Sequence, residues 1–220
     1  MFTTTQEAST RPLVNASHSV LAYPALLAGH RTVQEAMEDG HINTYLRTFL
    51  TTTGKSLASV AISDDIEEPI AQLVNCLSES AESDSLSRLC RDGASRLQEF
   101  VIPIVLDRLE QGKDVSSLAF LLAAYGHYLQ AGVDDNGQDY LVDEPQLTAA
   151  DWAMLKEGDV LSVLAISPLA PANLKSFPQF VTPYKSYRNQ IACYGLAFSL
   201  KQTLCAFWEE DAELHKGATA

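Results

Sequence analysis

Asn15 and His18 stand three residues apart in "PLVNASHSVLAY", residues 12–23. On a helix that spacing puts both side chains on one face. A carboxamide that donates a hydrogen bond, beside an imidazole that exchanges a proton near neutral pH, can hold and polarise a hydroxyl or carbonyl oxygen. The same spacing fits an N-cap asparagine followed by a half-buried packing histidine. Arg88 and Arg96 flank "RLCRDGASR". If Gly93 ends one helix and Ser95 caps the next, the two guanidiniums converge at the turn and can clamp a polyol or carboxylate. The alternative is a pair of solvated surface charges. Lys185 and Arg188, with Lys175, lie among Phe177, Phe180, Tyr184 and Tyr187. That combination suits a lid over an anionic or sugar-like ligand, or a loop packed by its own aromatics.

Other polar residues point away from metal chemistry. His127 follows Tyr125 in an apolar run and reads as a core histidine. The acids Asp134, Asp135 and Asp139 fail the calcium-loop pattern, because Asp139 occupies the position that needs glycine. No HExxH occurs and the histidines show no ligand spacing, so no metal is expected.

The elements that must position these groups are helical by period. Helix signals run over about 16–38, 41–53, 65–80, 84–91, 95–111, 115–131 and 187–216. Pro103 predicts a kink in the 95–111 segment. "SSLAFLLAAYGHYLQAG" is apolar nearly all round, as a central buried helix would be. "VDDNGQDYLVDEP" predicts a small β-hairpin near 133–143 around Asn136-Gly137, and the proline-rich stretch 167–187 predicts an irregular connection. The expected architecture is all-α: a flexible polar leader over 1–11, then a single multi-helix domain over 12–220.

Composition narrows the partners. With 15 basic and 28 acidic residues the net charge is −13, which argues against nucleic acid or an anionic membrane as a partner. "MFTTTQEAST" lacks the basic start and apolar core of a signal peptide, and no stretch approaches the length of a membrane span. Cys76, Cys90, Cys193 and Cys205 form no CxxC pair and sit in apolar surroundings, so buried free thiols and a cytoplasmic location are expected. No two glycines are separated by a single residue, which excludes the GxG fingerprint of dinucleotide binding, and no GxxxxGK[ST] loop is present. No cofactor is therefore expected to bind this chain by itself.

Together, "LVNASHSVLAYPALLAGHRTVQEAMED", "RLCRDGASRLQEFVIPIVLDRLEQGKDVSSLAFLLAAYGHYLQ" and "GVDDNGQDYLVDEP" resemble the C-terminal domain of the long-chain mannitol (polyol) dehydrogenase family, which includes the hexuronate reductases. The resemblance is strong over roughly residues 11–165. It implies the helical fold of 6-phosphogluconate dehydrogenase C-terminal-like domains. It also implies a substrate pocket that works beside an N-terminal Rossmann domain carrying NAD(P). By the resemblance, Asn15 and His18 match the residues that position and polarise the reacting oxygen, and Arg88 and Arg96 match the two basic substrate-gripping positions. The family's base lysine falls five residues before the asparagine, where this chain has Thr10. A hydroxyl is too weak a base to replace an amine tuned toward neutrality.

Three functions follow as expectations. One is a substrate-domain descendant working without cofactor, with His18 as general acid/base, Asn15 as hydrogen-bond donor and the arginines as clamp, in isomerase, lyase or cyclase chemistry on an oxygenated small molecule. Another is a fragment or split subunit of an NAD(P)-dependent polyol or hexuronate oxidoreductase, with a Rossmann partner or a second copy docking on an exposed apolar face. The last is a non-catalytic protein that binds a polyol or sugar acid.

Overall fold

The computed structural model describes residues 4–57, 67–79 and 85–205. Helix α1 (Thr4–Leu27) starts inside the stretch expected to be a leader. Residues 4–11 hold neither glycine nor proline and include Gln, Glu, Ala and Arg, so nothing stops the helix from extending over them. From Ala16 to Leu27 every residue of α1 is buried except His18. The expected 16–38 helix is divided at Gly29, whose φ is 103°. Thr32 then caps α2 (Val33–Glu38): its hydroxyl accepts from Glu35 N, and Glu35 reaches back to Thr32 N at 3.1 Å. That reciprocal pair satisfies two helix-end donors. Helices α3 (Gly40–Leu57) and α4 (Glu67–Glu79) follow, with α3 packed on α1.

Next come α5 (Leu86–Cys90) and α6 (Gly93–Arg96). Asp92, not Ser95, caps α6, in the left-handed region at φ 53°. Gly93 opens that helix instead of ending the previous one. A π-helical segment over Leu97–Val101 leads into α7 (Ile102–Glu110). Pro103 sits in the first turn of α7, and its missing N–H makes the widened register just upstream the local form of the expected kink. Helix α8 (Ser116–Ala131) is buried almost all round, packed between α1 and α10 (Pro178–Tyr194).

The hairpin expected over 133–143 reduces to one isolated bridge, Val133 with Asp139. Asp134 is the reason. Its carboxylate accepts from Asn136 N at 2.8 Å and Gln138 N at 2.9 Å, which diverts those donors from a strand ladder. Arg31 pairs with the same carboxylate. After α9 (Ala149–Lys156) and three short 3₁₀ turns, α10 occupies much of the stretch expected to be irregular. Pro178 stands at its first position, where no N–H is needed. Gly195 then separates α10 from a helix over 196–205, and the rest of the expected 187–216 helix lies outside the described residues.

Asp135 links distant parts of the chain. Its carboxylate accepts from Leu196 N at 3.0 Å and Ala197 N at 2.9 Å, capping the 196–205 helix from the 133–139 turn. Asp135→Ala is expected to cost about 1 kcal/mol, the usual value of such a cap, read as a lowered urea midpoint. Cys90 is buried as expected, but Cys193 and Cys205 are exposed, because each faces outward from its helix. Among the described residues no helix is long and apolar enough to cross a membrane.

Candidate active site

The turn between α5 and α6 is built around Glu144. Its two oxygens accept separately from Gly93 N at 3.0 Å and Ala94 N at 3.1 Å. Glu144 is only 5% exposed. Gly93 is required here for space: a Cβ would overlap the Tyr23 hydroxyl and come within 2.8 Å of Glu144 Oε1. Tyr23, from α1, donates to Cys90 O at 3.4 Å and so ties α1 to the same turn. The Tyr125 and Tyr128 rings, from α8, lie 5.0 and 5.2 Å from Tyr23. Burial pushes the Glu144 carboxyl up to about 7, against the two amides and the nearby Tyr125 hydroxyl, which favour its charge. Burial likewise pushes the Tyr23, Tyr125 and Tyr128 hydroxyls and the Cys90 thiol upward.

Arg96 is half-buried and turned onto the backbone. Its Nη2 donates to Leu89 O and, at 2.8 Å, to Arg91 O. Those are carbonyls at the end of α5, so Arg96 braces the turn instead of reaching out as a free clamp. Arg88 is exposed on α5. Asn15 and His18 are half-buried on α1, one helical turn apart, at the start of its fully buried half. Helix α1, which carries Asn15 and His18, packs on both α5 and α6, with Tyr23 reaching the arginine turn.

Lys185 and Arg188 belong to α10, which packs on α8. Lys185 is exposed, while Arg188 is 5% exposed and donates to Gln130. Arg188 is thus part of the α8–α10 packing and does not line an open lid. The apolar face of α10 buries Phe180, Tyr184 and Ile191, and Arg188 falls on that face by helical period. His127, half-buried beside it, is pushed down to about 4, first by burial and then by the Arg188 charge.

Among the described residues the only β pairing is two isolated bridges, so no glycine turn joins a strand to a helix where a pyrophosphate could lie. Nor do the described residues bring together three or more His, Cys, Asp or Glu side chains able to hold a metal.

Solved structures share this all-helical architecture within larger polyol dehydrogenases. The Pseudomonas fluorescens mannitol 2-dehydrogenase, solved as a ternary complex with NAD and D-mannitol, superposes with a TM-score of 0.77 and 27% identity, over 90% of this chain and 40% of that one. A D-sorbitol dehydrogenase in substrate-free form gives 0.79 and 25%, over 89% and 40%. The mannitol dehydrogenase C-terminal domain family model matches residues 11–191, and the chain belongs to that family. Among relatives, the mannitol 2-dehydrogenase of Neosartorya fischeri is 28% identical over 189 residues, covering 86% of this chain and 38% of its own length. The mannitol dehydrogenase 2 of Saccharomyces cerevisiae is 29% identical over 195 residues, with 87% and 38% covered. The chain thus spans about two fifths of the length of these relatives.

Glu144 carries no local mark of its role in the sequence. It lies 51 residues from Gly93, and nothing periodic marks it. The available signal was an acid directly before Pro145, in the one segment rich in turn residues that follows the buried α8.

Proposed function

We propose that this chain is the polyol-binding portion of a mannitol-dehydrogenase-type oxidoreductase, whose dinucleotide is held by residues outside it. The observation that carries this reading is the family match over 11–191, which contains both the Asn15/His18 helix and the Arg88–Arg96 turn. Asn15 and His18 would hydrogen-bond the reacting oxygen, Arg88 would grip more distant hydroxyls, and Arg96 would keep the turn in shape. Among the described residues no glycine turn joins a strand to a helix, so no hydride step is assigned to them. Exposed apolar side chains suit a docked partner: Tyr194 and Phe198, 67% and 47% exposed with rings 5.3 Å apart, stand beside the turn that Asp135 ties to them.

The test is calorimetric titration with D-mannitol. Wild type is expected to bind, and Asn15→Ala, His18→Ala and Arg88→Ala are each expected to weaken binding about tenfold, the worth of one lost polar contact near 1.4 kcal/mol. Lys185→Ala is expected to leave affinity unchanged. Failure of wild type to bind any hexitol would sink the proposal.

Thr10, at the position that the resemblance assigns to the base lysine, favours a second reading, in which the same pocket performs cofactor-independent acid/base chemistry through His18. A ketohexose incubated in deuterated water separates the two readings. Enolisation would place deuterium on the carbon beside the carbonyl with wild type and not with His18→Ala. The first reading expects no incorporation with either.

A further inference from the structure

We propose that the Glu144 carboxyl is a protonation-dependent latch on the turn that carries Arg88 and Arg96. Both of its oxygens are committed as acceptors, one to Gly93 N at 3.0 Å and one to Ala94 N at 3.1 Å. A carboxylate can do this with both oxygens, whereas a carboxylic acid has one oxygen that carries a proton and must donate. Protonation therefore leaves the hydroxyl oxygen a weaker acceptor, with a proton that needs a partner of its own, and one of the two grips loosens. The turn depends on these contacts, because Asp92 caps α6 without a side-chain bond to its amides. The turn is further held by Asp92 N donating to Asp143 O at 3.0 Å, next to Glu144 in sequence, by Ser95 Oγ donating to Asp92 Oδ1 at 2.8 Å, and by the Arg91–Asp143 ion pair at 3.0 Å, none of which reaches the Gly93 or Ala94 amide. Arg96 is held across the same turn by Leu89 O and Arg91 O.

The surroundings decide where the latch works. Tyr23 faces Glu144 from α1, Cys90 from the end of α5, Asp92 from the turn, and Tyr125 and Tyr128 from α8. Arg96 from α6 acts on Tyr23 and Cys90 in the same cluster. The tyrosines and the thiol are pushed upward by burial, away from neutrality. Glu144 is pushed up to about 7 and so changes charge near neutral pH. The sign is set by linkage. A carboxyl whose folded value is raised binds protons more tightly in the folded state, so the fold loses stability as pH rises from the unfolded value near 4.5 through about 7. The tighter two-point grip on the turn is thus gained at a cost in stability. The latch stands on its own geometry, and only its effect on ligand binding rests on the proposed polyol-binding role.

The test uses amide spectra of the full chain between pH 5 and 9. In wild type the Gly93 and Ala94 amide signals are expected to titrate together with a midpoint at about 7, with the Arg96 Nε signal following. In Glu144→Gln all three are expected to stay flat, and the melting temperature is expected to lose its decline across that window. If Glu144→Gln does not fold, the carboxyl carbon of Glu144 in wild type reports the same midpoint. Tyr125→Phe then provides the second variant: removing a hydroxyl that favours the charge should move the midpoint upward. Flat amides in wild type, or a titration that persists in Glu144→Gln, would overturn the latch. With His18→Ala as the common background, D-mannitol affinity is expected to be higher at pH 8 than at pH 6 when Glu144 is present and equal in Glu144→Gln. Affinity that ignores pH while the amides titrate would overturn the link to the site. Absence of mannitol binding by wild type at every pH would instead count against the polyol-binding role.

Discussion

Gly93→Ala is expected to destabilise the protein by about 3 kcal/mol or more, at the upper end of what overpacking costs. For a domain of this size that corresponds to a fall of roughly 10 °C in melting temperature. The cause is space. Gly93 is absent from the glycines with positive φ, so its backbone conformation is open to alanine. What a methyl group meets there is the Tyr23 hydroxyl, then Glu144 Oε1 at 2.8 Å and Tyr23 Cζ at 2.8 Å. Neither neighbour can yield cheaply. Tyr23 is fully buried and packed against both the Tyr125 and Tyr128 rings. Glu144 is held by the amides of the very residue being changed and of the next one. Tyr23→Phe removes the worst overlap but leaves the ring in place, so the double variant should recover part of the loss and no more. Denaturant melts of the two single variants and the double variant check this. Strictly additive losses would show that the two residues do not press on each other.

The helical class and the buried α8 were legible because each rests on local periodicity, while the Asn15/His18 and Arg88/Arg96 motifs were readable through their resemblance to a family pattern. Asn15 and His18 lie on one turn of α1, as their separation requires. What sequence could not show was mostly long-range. Glu144 clasping Gly93 and Asp135 capping the 196–205 helix depend on tertiary placement, and neither leaves a local pattern. Arg96 shows the limit of spacing arguments. Its position in the turn was readable, but its guanidinium is taken up by backbone carbonyls that only the folded turn presents. Two local signals mark helix starts that periodicity alone runs past. Thr32 with Glu35, and Thr148 with Asp151, are capping boxes spelled out three residues apart. The first would have divided the 16–38 segment correctly. Prolines caused the opposite error over 167–187, since Pro178 begins a helix and Pro183 is tolerated inside it.

Arg188→Met and Arg188→Ala are expected to move stability in opposite directions. Arg188 is 5% exposed and donates to Gln130, yet its Nε and Nη1 are buried without a hydrogen-bond partner. The nearby Tyr184 hydroxyl donates its own proton to Val160 O at 2.9 Å. Burial pulls the guanidinium downward from its ordinary value, against the Tyr184 and Tyr140 hydroxyls, which favour its charge. Methionine keeps most of the side-chain volume and removes the charge, so Arg188→Met should gain about 1–4 kcal/mol, as replacement of buried ionic groups by packed apolar ones often does. Alanine removes the volume as well. The void left between α8 and α10, where Gly126 already approaches Tyr184 and Arg188, should cost about 2 kcal/mol or more. His127 gives an independent readout. It is held at about 4 by burial first and by the Arg188 charge second, so Arg188→Met should raise it part of the way toward 6.5. Because a lowered histidine makes the fold lose stability as pH falls from 6.5 toward 4, that acid-side loss should still begin near 6.5 in the variant but end at a higher pH and be smaller in total. Imidazole proton shifts and melts at pH 5 and 7 measure both effects. A less stable Arg188→Met with His127 unmoved would mean that the guanidinium is well partnered and electrostatically remote from the histidine.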